Sequence, residues 1–242
     1  MKLIKLDAID STNEFLKGIS NQQNTENFTV VTAENQTNGK GQRGAVWNSE
    51  VGKNLIMSVL IKDFLIHTNA IFNLNIAFSL AVISTLIKKN IPDLSIKWPN
   101  DILSANKKIG GILIENIIKS DGTILSIVGL GLNVNQTNFE GLPKASSLAV
   151  VTGKEFDKEK LLLDIITNLE MNVAASKLNP ASLRQQFVAA LYKKNIPMPF
   201  TNQKEEKFMG IIQGISPVGR LQVLLEDDSV AEFDIKEIQM LY

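Results

Sequence analysis

Residues 64–87 carry no formal charge, and this stretch limits the possible folds more than any other part of the chain. A run of that length either crosses a bilayer or is covered on all sides by the rest of the protein. It contains His67, Asn69, Asn73 and Asn75, and its densely apolar part, residues 76–87, spans only about a dozen residues, the length of a buried core helix. The reading is therefore an interior helix over residues 69–89 and no membrane span. The chain has 242 residues, enough for one main domain plus a small appendage. At that size roughly 70–75% of the unfolded surface is buried, so the core needs no staples.

The elements around this helix are short. Residues 3–6, 28–33, 55–61, 94–97, 102–104, 109–116 and 123–133 read as strands, with a hairpin signal at Ser120-Asp-Gly122. Ser11-Thr-Asn-Glu14 matches a capping box and starts a helix running to about Gly18. Asp157 caps a helix to Leu178 whose buried stripe is Leu162, Ile165, Ile166, Leu169 and Val173, and residues 180–194 form another. The character changes at Asn195-Ile-Pro-Met-Pro199. Short β runs at 208–215, 220–225 and 231–235 follow, punctuated by Pro217-Val-Gly219 and Glu226-Asp-Asp-Ser229. They suggest a small barrel of the SH3 kind. The expected division is a catalytic domain over residues 1–194 and a C-terminal domain over 195–242.

Composition narrows the chemistry. There is no cysteine, which removes disulfides, thiolate nucleophiles and cysteine-ligated metal sites. His67 is the single histidine, and a loop residue without a catalytic role is its simplest reading. Lys+Arg and Asp+Glu are 25 each, so no global field holds a polyanion. The N-terminus is broken by charge and has no signal-peptide core, so a cytoplasmic address is expected. What remains for chemistry is Lys, Arg, Asp, Glu, Ser, Thr, backbone amides and a hard cation.

Four motifs stand out. Residues 34–47 form a polar loop in which Gly39, Gly41 and Gly44 let backbone amides approach an anion, with Lys40 and Arg43 supplying charge. Alone, such a loop is as often a plain flexible connection. Lys97-Trp-Pro-Asn-Asp101 puts Asn100 and Asp101 after a proline at a strand end. A carboxylate there could hold Mg²⁺ near phosphates, and a simple turn is the competing reading. Lys108-Ile-Gly-Gly-Ile-Leu-Ile-Glu115 sets a lysine beside a glycine pair, where a solvated hairpin lysine is the plainer alternative. Gly129-Leu-Gly-Leu-Asn133 places glycines in a strand, which marks close approach by a ligand or another backbone.

In this order and at these spacings, the motifs resemble those of the biotin protein ligases. The resemblance runs from Asp10-Ser-Thr-Asn13 through the loop ending at Trp47. It continues through Gly52-Lys-Asn-Leu55, Lys97-Trp-Pro-Asn-Asp101, Lys108-x-x-Gly-Ile-Leu-x-Glu115, Gly129-Leu-Gly-Leu-Asn133 and Leu142-Pro-Lys-Ala-Ser-Ser-Leu148. It implies an α+β catalytic domain of the class II aminoacyl-tRNA synthetase/biotin ligase kind with a small C-terminal SH3-like β-barrel. The implied reaction forms biotinyl-5′-AMP from biotin and Mg-ATP, then transfers biotin to a lysine of a carboxyl carrier domain of the acetyl-CoA carboxylase type. ATP and Mg²⁺ are thus the implied cofactors. Such adenylation asks mainly for placement of anions and charge neutralisation, which suits a site without His or Cys.

By the same resemblance Ser11, Thr12, Asn13, Gln36, Gly39 and Lys40 hold the biotin ring. Gln42, Trp47, Gly111 and Gly131 line the rest of the biotin site. Lys108 faces the biotin carboxylate and the phosphate, and Lys108, Asp101 and Arg43 are the implied catalytic set. Arg43, Trp47, Asn54, Asn100, Asp101, Lys108 and Asn133 form the ATP side, with Asp101 as the metal ligand. Two departures matter. Gln42 stands where the family usually has a basic residue that helps hold the adenylate phosphate. No room exists before Asp10 for a winged helix-turn-helix, so DNA is not an expected partner. Family members pair sheet edges in some cases and stay monomeric in others, which leaves a homodimer open. The alternatives are a lipoate or octanoate ligase or transferase of the same fold, and a non-catalytic biotin-binding module. The intact Lys97–Asp101 run, Gln36 and Lys108 favour the biotin ligase.

Overall fold

In the computed structural model, which describes residues 1–20, 22, 25–62, 64 and 71–241, the chain forms two sheets and five α-helices. Arg43 is described by its backbone alone, and His67 and the expected helix start at 69–70 lie outside the described residues. The first half runs β1 (Leu3–Ile9), α1 (Thr12–Ser20), β2 (Val30–Gln36), β3 (Leu55–Ile61) and α2 (Ile71–Lys88). A meander follows: β4 (Leu94–Lys97), β5 (Asp101–Ser104), β6 (Lys107–Ile118) and β7 (Ile124–Leu132). Then come α3 (Leu148–Thr152), α4 (Lys158–Leu178), α5 (Pro180–Ala189), β8 (Pro197–Asn202), β9 (Lys207–Ile215), β10 (Leu221–Leu224), β11 (Val230–Phe233) and β12 (Ile238–Met240).

The first sheet has the order β1-β2-β3-β7-β6-β5-β4, antiparallel except for the β1–β2 pair. Strand alternation divides its side chains. On one face Met57, Val59, Val128, Leu130 and Leu132 join the large core with α2 and α4. On the other, Leu60, Leu125 and Ile127 meet Leu16 of α1 in a much smaller cluster. One short helix cannot cover a seven-stranded sheet, so the end of β7 beyond α1 and the start of β6 are left for the site. Helix α2 is long and apolar enough to cross a membrane by composition, yet 67% of it is buried in this core. The expected stripe of α4 is buried residue for residue, and the side chain of Asp157 caps it by accepting from the Lys160 N–H.

The second sheet, β11-β10-β9-β8-β12, is antiparallel and open between β11 and β12, a β-rich unit consistent with the SH3-like expectation. Its first strand, β8, escapes the sequence reading because Pro197 and Pro199 disguise it. α5 ends at Ala189 and not at residue 194. The chain there turns to pair with β4, Ile96 N–H donating to Ala190 O at 2.8 Å and Tyr192 N–H to Ile96 O at 2.8 Å. Phe200, Ile212, Leu221, Val223 and Met240 belong to the same core as the first sheet, so the two sheets share one apolar interior.

Gly219 sits at their joint. Its φ is +92°, and a Cβ there would lie 2.1 Å from Phe72 Cγ. Its carbonyl accepts from Trp98 Nε1 at 2.9 Å, just before the cis Trp98–Pro99 peptide. Gly219→Ala combines a left-handed backbone with overpacking, and should cost about 2–4 kcal/mol. Urea titration should show a lower midpoint with an unchanged slope.

Candidate functional site

The open half of the sheet holds a narrow cavity. Its floor is the glycine face of β7 and the start of β6, its inner end is the first turn of α1 with Gln36, and its roof is the loop through Lys40, Gln42 and Trp47. The glycines answer the close-approach expectation. A Cβ on Gly129 would lie 2.5 Å from Asn13 Oδ1, and one on Gly131 would lie 2.3 Å from Trp47 Cε2. A Cβ on Gly111 would press on the end of the Lys108 side chain at 3.3 Å.

The inner end is polar and buried. Thr12 donates to Gln36 Oε1 from its backbone N–H at 2.8 Å and from its hydroxyl at 2.9 Å. Ser58 Oγ lies 2.7 Å from Thr12 Oγ1 and 2.6 Å from Asn13 Oδ1. Asn13 Nδ2 donates to Glu115 Oε2 at 2.7 Å, and the other Glu115 oxygen pairs with Lys17 at 2.5 Å. Glu14 departs from the capping-box role. Its carboxylate turns to Lys40 at 2.7 Å and Lys17 at 3.0 Å, where it meets full charges in place of one backbone N–H. Sequence reasoning missed Ser58 and did not assign Glu115. Ser58 had a signal: it is the single polar residue in β3, and it is fully buried.

The outer end is charged. Lys108 Nζ pairs with Asp101 Oδ1 at 2.7 Å and stands 5.6 Å from the centre of a Trp47 ring. Asn100 braces the turn, donating from Nδ2 to Ile112 O at 2.5 Å. Lys108, Trp47, Asn100, Gln42 and Gly41 also line a second, open cleft of about 1380 Å³, with Asp101 and Lys97. Its far wall comes from the second sheet, including Thr201, Gln239 and Met240. Trp47 Nε1 is buried without a hydrogen-bond partner among the described residues.

The structure thus gathers Ser11, Thr12, Asn13, Gln36, Lys40, Gln42, Trp47, Asn100, Lys108, Gly111 and Gly131 around the first cavity, with Gly39 bent against the Trp47 carbonyl, while Asp101 lines the second cleft beside Lys108. It does not bring Asn54 and Asn133 to that lining. Asn54 is buried between Gln136 Oε1 and the Val134 N–H, and Asn133 Nδ2 donates to Ser146 O. The side chain of Arg43 lies outside the described residues.

The hydrogen bond from Lys40, then that from Lys17, holds the Glu14 carboxyl below its usual value of 4.5. Lys17 is raised: desolvation opposes its charge, but hydrogen bonds to Glu115 and Glu14 outweigh it. A lowered carboxyl adds stability above its unfolded value and loses it as pH falls through the folded one. Amide exchange at residues 39–47, corrected for intrinsic rate, should therefore be slower at pH 7 than at pH 4, by up to about fivefold for an exposed pair. Glu14→Gln should abolish that difference.

Comparison with known proteins agrees with this geometry. The sequence model of the biotin/lipoate A/B protein ligase family matches residues 6–135. A bifunctional ligase/repressor BirA of Bacillus spizizenii is 32% identical over 173 residues, 69% of this chain and 52% of the relative. The chain therefore spans about half the length of that relative. A biotin--[acetyl-CoA-carboxylase] ligase of Mycobacterium tuberculosis is 28% identical over 199 residues, 79% of this chain and 71% of the relative. Among solved structures, the biotin protein ligase of Aquifex aeolicus in complex with biotin and ATP matches with a TM-score of 0.82 at 27% identity, over 99% of this chain and 98% of that one.

Proposed function

Because the chain belongs to the biotin/lipoate A/B protein ligase family, we propose that it is an ATP-dependent biotin ligase acting on a carboxyl carrier domain. The observation behind this reading is the position of Lys108, on the wall common to the two cavities. One cavity ends in buried hydroxyls and amides, the other is open and flanked by cations. A ligand carboxylate in the first and a triphosphate in the second meet at one ammonium. The carboxylate oxygen attacks the α-phosphorus, the bond to the bridging oxygen breaks, and pyrophosphate leaves. A carrier lysine then attacks the acyl carbon and AMP leaves. In both steps Lys108 faces the oxygens where negative charge gathers.

The polar inner end also separates this reading from a lipoate or octanoate enzyme. A cyclic urea has N–H and C=O groups to satisfy Thr12, Ser58 and Gln36, and a dithiolane or straight acyl chain has none. Asp101 fits a magnesium ion held chiefly by phosphate oxygens and water, since no cluster of three acidic or histidine side chains exists among the described residues. Such an ion supplies charge neutralisation on the triphosphate. Division at residue 195 into catalytic and C-terminal domains, a cytoplasmic address and absence of a DNA role belong to the same proposal.

Incubation with ATP, labelled biotin and a carrier domain tests it: label should reach one carrier lysine, seen as a mass shift. No transfer, together with no biotin-dependent exchange of pyrophosphate into ATP, overturns it. Lys108→Ala should slow adenylate formation by about 10²-fold or more with a modest effect on folding. Gln42 lines both cavities without a charge. Gln42→Arg should slow adenylate dissociation by up to about tenfold, because a charge-assisted hydrogen bond to phosphate replaces a neutral one. An unchanged off-rate would assign that hold to Lys40 or Arg43.

A further inference from the structure

The buried chain of hydrogen bonds at the inner end has a direction, and one residue outside the cavity lining sets it. We propose that Glu115 is a positioning residue of the ligand head-group pocket, fixing the Asn13 amide so that the pocket wall accepts hydrogen bonds from ligand N–H groups. The inference rests on the biotin ligase reading for the identity of that ligand.

An ionised carboxylate can only accept. Glu115 takes Lys17 on one oxygen at 2.5 Å and Asn13 Nδ2 on the other at 2.7 Å. Asn13 must then turn its oxygen inward, onto Ser58 at 2.6 Å and the surface of Gly129. Asn13, Ser58 and Thr12 are all buried, so their partners are mainly one another and whatever occupies the cavity. With this orientation the wall offers four acceptor oxygens, on Asn13, Ser58, Thr12 and Gln36. Only three protons serve them: the two hydroxyls and the Thr12 N–H. The surplus of acceptors suits a head group that brings N–H donors, such as a cyclic urea. Turned over, Asn13 would present an NH₂ inward, and the surplus would vanish.

Glu115→Gln forces that choice. Lys17 claims the oxygen of the new side-chain amide, so its NH₂ faces Asn13 and drives that amide over. Asn13→Asp on the same background restores the pattern. A carboxylate at position 13 can only accept, from the new amide at position 115 on one oxygen and from Ser58 on the other. Adenylate formation should show a KM for biotin raised about tenfold in Glu115→Gln, with the KM for ATP within about twofold of wild type. The double variant should recover at least half of the biotin effect on a logarithmic scale. A biotin KM unchanged in Glu115→Gln overturns the inference, as does a rise shared equally by ATP or a double variant with no recovery. A wild-type chain that forms no adenylate overturns the ligase reading and this inference with it. Wild-type activity with any of the first three results overturns the inference alone.

Discussion

A helix apolar on every side is stable in water only when every side is covered, and covering α2 organises the rest of the molecule. The first sheet closes one side, and α4 and α5 close the others. Three long helices then lie on one face of the sheet and only α1 on the other. The site occupies the thinly covered face, beside the first turn of α1 and over the glycines of β7. There the strand residues that would otherwise be exposed apolar groups are Gly129 and Gly131, and the groups that fill their space are Asn13 and Trp47.

Three lysines in this region are paired with carboxylates before any ligand enters. Lys108 is matched by Asp101, and Lys40 and Lys17 by Glu14 and Glu115. An anion reaching Lys108 competes with a carboxylate 2.7 Å away, so affinity for it depends on how far Asp101 is drawn off by a partner of its own.

Much of this was legible in the sequence because the physics is local. The α4 cap and stripe, the hairpin at Ser120-Asp-Gly122 and the close approach at the β7 glycines each follow from a few neighbouring residues. The unread parts are non-local. Tyr192 leaves the helical pattern of α5 because β4 offers it a partner far away in sequence. β8 is a strand despite two prolines because β9 and β12 supply its ladders. Asn54 and Asn133 look like ligand groups in a motif, but their bonds go to Gln136 and Ser146. Glu115 acts on Asn13 across 102 positions, a pairing no spacing rule reveals.

The two tryptophans fall where the molecule has most to report. Trp47 lies against Gly131 in the wall between the two cavities, and Trp98 is bonded to Gly219 at the joint between the sheets. With the chain holding only two Trp residues, either one replaced by phenylalanine leaves a single tryptophan to excite selectively. Emission from the first follows events at the wall between the cavities, and emission from the second follows both the outer cleft it lines and the seating of the two sheets on each other. The protein comes with two native optical reporters at different depths of its site, and needs no added label to read them.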